Sequence, residues 1–149
     1  MQQLIYTMQF KGHAAPSEGL PEAMNVSAKA ASCSITTVVN QGGLTGGFNP
    51  AAVTDAVFES EVKLVTASTF TERGTITFGE GGHCLNFVSV GQGWMGQSPD
   101  PALRQGTVTW TVDGGQGQFE GAGGTITSNF TVNEAGEVND YHLGIIYLR

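Results

Sequence analysis

The chain has 149 residues, 22 of them glycine and 40% of them hydrophobic, which suffices for one folded domain with a core. Six Lys and Arg residues against 13 Asp and Glu give a formal charge of −7, which argues against binding to nucleic acid or to an anionic membrane. No apolar run approaches the ~18 residues that a membrane helix needs, and the N-terminus lacks the features of a signal peptide. We therefore expect a cytoplasmic protein with a single domain over residues 1–149.

Alternation of apolar and polar residues begins at the N-terminus and indicates strands. The first strand covers residues 3–11, and one face of it carries Leu4, Tyr6, Met8 and Phe10. One or two strands follow within residues 24–39. Glycine and proline predict loops on either side, over residues 13–21 and 40–54.

The middle of the chain contains three alternating runs, over residues 56–65, 69–78 and 83–90. In the second run, Glu72 shares its face with the apolar residues Phe70, Ile76 and Phe78. The turn at 79–82 pairs Phe78 with His83, and directly opposite residues share a face. This pairing places His83, Leu85 and Phe87 on the inner face and Ser89 opposite Glu72.

A glycine-rich loop joins two alternating runs over residues 107–130, TVTWTVDGGQGQFEGAGGTITSNF. Phe119 is its one large apolar side chain, and Ile126, Ser128 and Phe130 share a face of the second run. Glycine is favoured where the backbone needs a positive φ, which we predict at Gly121 and Gly123. In the last strand, 138–148, we assign the inner face to Tyr141, Leu143, Ile145 and Tyr147.

About eight strands joined by short loops predict an all-β, antiparallel barrel, with a β-sandwich as the alternative. The segment GGQGQFEGAGGTI resembles the glycine motif of allene oxide cyclases and dirigent proteins. The layout of residues 69–148 is also similar to a bacterial barrel family of unknown function. The resemblance implies the same eight-stranded barrel, and it implies a cyclase or isomerase that needs no cofactor.

Two residues are candidates for acid–base chemistry. Glu72 lies on an apolar strand face, where a buried carboxyl takes up a proton or needs a partner. His83 follows a glycine turn at one mouth of the barrel. For Glu72 the alternatives are a bulge near Gly74 that turns it outward and a position at the solvated rim of the barrel. For His83 the alternative is a rim histidine that is hydrogen-bonded to the turn.

The remaining inward side chains are candidates for ligand binding: Tyr6, Phe70, Phe87, Ser128, Tyr141 and Tyr147. Tyrosine hydroxyls that point into a lumen are suitable donors to a ligand oxygen. The alternative is that these tyrosines are ordinary core residues with their hydroxyls at the barrel ends.

No metal or cofactor is expected. Cys33 and Cys84 lack the spacing of a zinc site, and three scattered histidines form no ligand set. The sequence contains no phosphate-binding loop and no nucleophile elbow. We interpret the cysteines as buried thiols.

Two functions fit this barrel. The first is the binding of a small apolar molecule in the lumen, with a cyclisation or isomerisation implied by the resemblance. The second is a non-catalytic structural or interaction protein whose lumen is filled by its own aromatic side chains. The volume of the lumen discriminates between them, and the sequence leaves a homo-oligomer open.

Overall fold

The computed structural model describes residues 1–51 and 55–149, and it is built from antiparallel strands. Within that part of the chain, the strands are β1 (Gln2–Ser17), β2 (Leu20–Asn40), β3 (Gly43–Leu64), β4 (Thr69–Phe78), β5 (His83–Ser89), β6 (Gly93–Gln97), β7 (Leu103–Gln116), β8 (Gly123–Asn133) and β9 (Glu137–Leu148). A short 3-10 turn, Gly117–Phe119, joins β7 to β8. No helix among the described residues has the length and apolar character needed to cross a membrane.

The strands close into a barrel. Neighbours around the wall run β3-β2-β1-β9-β8-β7-β5-β4, and β4 pairs back onto β3. The short β6 pairs with β7 and with the start of β4, so it continues the wall position of β5. The wall therefore has eight positions, which confirms the predicted eight-stranded antiparallel barrel and rules out the sandwich.

One end of the barrel, which we call the closed end, is sealed by the glycine-rich loop. Phe119 is 1% exposed and packs on Phe78 with ring centroids 5.3 Å apart. The turn between β4 and β5 lies at the same end, because Phe78 pairs with His83 there. Beneath this seal the lumen is filled by large buried side chains, among them Phe10, Ile76, Leu85, Trp110 and Ile126.

The opposite end, which we call the open end, is formed by the turns that join β1 to β2, β3 to β4 and β8 to β9. Pro16 lies in β1 next to a register shift at Ser17, where a ladder hydrogen bond is not required. The predicted loop over 13–21 is therefore mostly strand, and only residues 18–19 form the turn.

The predicted loop over 40–54 is also wrong for its described residues. Beyond a bulge after Ala31, β2 and β3 continue as a two-stranded ribbon that turns at residues 41–42. The ribbon rests on the outside of the barrel, where the Phe48 and Tyr141 rings lie 5.2 Å apart. The loop was predicted from the glycines of this segment, among them Gly43, Gly46 and Gly47. A two-stranded ribbon outside the barrel tolerates glycine at these positions. Residues 52–54 lie outside the described residues.

The glycine-rich loop yields a matched pair of test positions. Gly121 has a φ of +67°, as predicted, whereas Gly123 has no positive φ and no atom within 4 Å of an added Cβ. The prediction was therefore wrong for Gly123, which begins β8 in extended conformation.

We expect Gly121→Val to lower the free energy of unfolding by about 1–3 kcal/mol, because valine does not fit a positive φ. Gly123→Val should change it little, since a β-branched residue suits a strand with open space. Urea denaturation of both variants tests this difference. Equal losses would show that the loop is not held by the conformation of Gly121.

Candidate functional site

A cavity of about 550 Å³ lies between the open end and the packed core. Its walls are mainly apolar, and they come from eight strands and the turns between them. The larger apolar side chains of the lining are Met24, Val26, Phe58, Val62, Leu64, Phe70, Met95, Phe130, Val132 and Val138. The barrel therefore has two parts along its axis, a packed closed half and a hollow open half.

Two aromatic rings form one wall of the cavity, and two glycines give them room. The Phe70 and Phe130 rings meet edge to face at 5.9 Å. A Cβ at Gly93 would overlap the Phe70 ring, and a Cβ at Gly106 would overlap the Phe130 ring. Glycine at these positions lets both rings lie flat against the neighbouring strands, which holds them at the side of the cavity.

Glu72 lies on the floor of this cavity and is 7% exposed. Its Oε1 accepts a hydrogen bond of 2.6 Å from Ser60 Oγ, and its Oε2 accepts one of 3.1 Å from Trp110 Nε1. Its backbone N–H donates to Ser89 Oγ at 3.0 Å. The ladder between β3 and β4 runs without a shift through Gly74. The predicted inward direction is confirmed, and the bulge is absent from this described stretch.

Burial raises the pKa of the Glu72 carboxyl to about 8. The hydrogen bond from Ser60 lowers this pKa, the charge of Asp140 raises it, and the bond from Trp110 lowers it. Loss of hydration outweighs both hydrogen bonds, because the carboxyl is almost fully enclosed. Near neutral pH, Glu72 is therefore mostly a neutral acid with a proton to donate.

A second carboxyl, Asp140 on β9, shares the cavity floor and is 6% exposed. Ser128 Oγ donates to its Oδ1 at 2.6 Å, and His142 Nε2 lies 2.9 Å from its Oδ2. With the proton on Nε2, the imidazole donates to Asp140. Asp140 thus has a hydrogen-bond donor at each oxygen and lines the floor of the cavity.

His142 lies directly under the floor, inside an aromatic shell. Its ring centroid is 4.5 Å from that of Phe10, 4.9 Å from that of Trp110 and 5.4 Å from that of Phe58. Its Nδ1 is buried and has no hydrogen-bond partner among the described residues. The shell fixes the imidazole plane, and the ring in turn holds the Asp140 carboxylate in place.

Sequence reasoning missed Asp140 and His142 because it assigned the wrong face of β9 to the lumen. Tyr141 and Tyr147 lie outside the barrel, where their hydroxyls accept hydrogen bonds from Gln9 (3.1 Å) and Gln3 (3.2 Å). The hairpin register contained the necessary signal. Phe130 pairs with Asp140 and Ser128 with His142, and directly opposite residues share a face.

The other predicted site residues fall into two groups. Phe70 and Ser128 line the cavity together with Glu72. Phe87 is buried in the packed half, stacked on Phe58 at 5.3 Å. Tyr6 also lies below the cavity, with its ring edge to face with Phe78, and its buried hydroxyl has no partner among the described residues. Burial raises the pKa of Tyr6 well above its ordinary value.

His83 does not join Glu72. It lies half-buried at the closed end, where its Nδ1 accepts a hydrogen bond of 3.1 Å from the Gln118 backbone N–H. The two residues occupy opposite ends of the β4–β5 hairpin, with Ile76 and Leu85 paired between them. The structure therefore places the two acid–base candidates apart, and Asp140 is the ionisable group that shares the cavity lining with Glu72.

The described residues contain no group of three or more His, Cys, Asp or Glu side chains that could hold a metal ion. Cys33 and Cys84 are half-buried free thiols, and they lie away from the cavity lining. The prediction that the purified protein carries no stoichiometric transition metal stays a prediction, which elemental analysis would test.

Comparison with known proteins yields one kind of likeness, in fold. No protein-family model matches the sequence, and no curated protein matches it. Among solved structures, the pterocarpan synthase dirigent protein GePTS1 aligns with 99% of this chain and 87% of its own, at 12% sequence identity and a TM-score of 0.49.

Proposed function

We propose that the barrel binds one small, largely apolar molecule in the cavity at its open end, with a polar group of that molecule on Glu72 and Asp140. The observation that carries this proposal is a cavity of about 550 Å³ with apolar walls and two buried carboxyls on its floor. Small-molecule sites typically combine such walls with a few convergent polar groups.

The buried carboxyls and the open cavity both lower the stability of the fold, and this loss supports a functional role for them. A buried carboxyl loses hydration that its hydrogen bonds only partly replace, so an apolar side chain at Glu72 would stabilise the fold more. An open apolar cavity also forgoes the packing that fills the other half of the barrel. Proteins keep such features where a site needs them, at the expense of stability.

The floor is suited to proton transfer without a cofactor. A neutral Glu72 donates a hydrogen bond or a proton to a ligand atom, and Asp140 accepts one, within an enclosed site where such interactions are strong. The walls would hold a flexible substrate in one productive shape. This is the kind of cyclisation or isomerisation that the resemblance of the glycine motif implies.

The alternative, a barrel filled by its own side chains, is supported by the closed half alone. Phe10, Trp110 and Phe119 are fully buried in that half, together with Ile76, Leu85 and Ile126. The hollow open half supports ligand binding, so the two halves favour different functions. A binding experiment with a variant whose open half is blocked distinguishes between the two functions.

We expect the neutral apolar dye N-phenyl-1-naphthylamine to bind one molecule per chain, with a rise in fluorescence. Val26→Trp places a large ring in the cavity and should abolish the rise. Val88→Trp, on the outer face of β5 where Val88 is 42% exposed, is the matched control and should retain it. Circular dichroism would confirm that both variants fold. Undiminished binding by Val26→Trp would show that the dye, and hence the proposed site, is not in this cavity.

A further inference from the structure

We infer that the ligand of this cavity carries a basic nitrogen, which is bound as an ammonium ion on the floor between Glu72 and Asp140. The inference rests on the proposed function and narrows it to one chemical class, the amphiphilic amines. It is drawn from the hydrogen-bonding capacity of the floor, from the charges around it and from the aromatic side chains in the wall.

The floor offers acceptors to a ligand. The four oxygens of Glu72 and Asp140 each have one donor from the protein, namely Ser60, Trp110, Ser128 and His142. An ionised carboxylate has about four lone-pair sites, so each oxygen retains room for one more donor once the proton of Glu72 has left. An ammonium group supplies several N–H donors from one atom, and hydrogen bonds between charged groups are the strong kind.

The charge on the floor is also unbalanced. In the described part of the chain, Glu72 forms no salt bridge, and the partner of Asp140 is a histidine. The charge of Asp140 opposes ionisation of Glu72, so the two carboxyls hold a proton that a cation between them would displace. A ligand cation would offset the repulsion between the two carboxylates, so that both carboxyls could be ionised at the same time. An uncharged ligand cannot do this.

The walls suit the rest of such a molecule. Phe58, Phe70 and Phe130 present aromatic rings to the cavity, and aromatic faces attract organic cations. The aliphatic lining accommodates a hydrocarbon tail. The rim carries charges of both signs, from Arg104 and Glu134, so it selects neither an anion nor a cation.

An anionic ligand is disfavoured at the floor. A carboxylate or phosphate placed there would meet two carboxyls and no basic side chain except His142, which lies under Asp140 and is already bonded to it. The formal charge of −7 on the chain adds a long-range attraction for cations. A neutral alcohol remains the competing class, since it can donate one hydrogen bond to the same oxygens.

The binding of an ammonium ion releases the proton of Glu72, so the affinity should rise with pH. The other ionisable groups that face this region are Asp140 and His142 on the same floor, Tyr6 in the layer below, and His13, Arg104 and Glu134 at the rim. Because these groups are present in wild type and variant alike, replacing Glu72 alone isolates its contribution.

The test is isothermal titration calorimetry with three probes of equal chain length, octylamine, 1-octanol and octanoate, at pH 7. We expect octylamine to bind about tenfold more tightly than 1-octanol, and octanoate to bind most weakly. Titrations in buffers with different ionisation enthalpies should count the proton released on binding of octylamine. Between pH 6.5 and 7.5, the affinity for octylamine should rise by up to about tenfold.

In Glu72→Gln the proton release and the pH dependence should disappear, and the preference for octylamine over 1-octanol should shrink. Asp140→Asn should shrink the same preference independently. Equal or tighter binding of 1-octanol, or tightest binding of octanoate, would overturn the inference while the proposed function stands. If none of the three probes binds, the inference fails, and the dye titration decides whether the proposed function fails with it.

Discussion

The Glu72→Gln variant is expected to be more stable than the wild type by about 4 kcal/mol at pH 9 and of nearly equal stability at pH 4. Glutamine reproduces the shape and hydrogen bonding of the neutral acid. Its amide oxygen can accept from Trp110, and its amide nitrogen can donate to Ser60. It carries no charge that would need hydration at high pH.

The sign follows from proton linkage. Burial raises the pKa of Glu72 to about 8 in the folded protein, whereas the unfolded chain ionises near the ordinary glutamate value. Between these two values the folded state binds one more proton than the unfolded state, so stability falls as pH rises. The stabilising contribution is complete below the unfolded pKa and is lost once the pH exceeds about 8.

Urea denaturation of wild type and variant at several pH values tests this prediction. Other titrating groups are common to both proteins, so the difference in the free energy of unfolding reports on Glu72. Glu59→Gln is the matched control, because Glu59 is exposed on the outer face of the neighbouring strand. A difference that stays constant with pH would show that Glu72 is ionised in the folded protein at neutral pH.

The second large effect is expected at Phe58, which is 1% exposed and separates the cavity from the packed half. Its ring lies 5.3 Å from Phe87, 5.6 Å from Trp110 and 5.9 Å from Phe10, measured between ring centroids. We expect Phe58→Ala to cost about 3–5 kcal/mol, because neighbours held by the barrel wall cannot collapse into the space.

Phe48→Ala is the control for this variant. Phe48 contacts Tyr141 on the outside of the barrel, where solvent can replace the lost ring. Its cost should be about 1 kcal/mol, in the range for a partly exposed aromatic contact. Thermal unfolding followed by circular dichroism measures both losses. Similar costs at the two positions would mean that the packed half does not carry the stability of the barrel.

Much of the wall could be predicted from alternation. The strand over 69–78 shows this best, because Phe70, Ile76 and Phe78 can face the core only if Glu72 faces it as well. The Phe78–His83 pairing then placed Ser89 beside Glu72, which the hydrogen bond between them confirms. A regular hairpin propagates the inner face from one strand to the next, so local pattern suffices there.

The same pattern failed on β9, where both faces carry apolar residues. Leu143 and Ile145 are exposed on the outside, whereas Asp140 and His142 are buried inside. Hydrophobicity therefore predicted the wrong inner face for β9. Asp140 and His142 are buried there because hydrogen bonds stabilise them, and the sequence does not show these bonds. Only the register across the β8–β9 turn identifies the inner face of such a strand.

The position of the cavity could not be predicted at all. The closed end was indicated by the glycine-rich segment with Phe119 at its centre. The open half is hollow because its inward side chains, such as Val26, Val62 and Val138, are too small to meet across the lumen. Which layers fill and which stay open depends on all eight wall positions together, and no single strand contains that information.

The most direct test of the account is native mass spectrometry of the protein purified from its source, with wild type and Val26→Trp side by side. We predict that the wild type carries one small organic molecule per chain, which is released on denaturation, and that Val26→Trp carries none. A bound molecule retained equally by both proteins, or a wild type that is entirely free of ligand and takes up none of the probes named above, would contradict the claim that this cavity is a binding site.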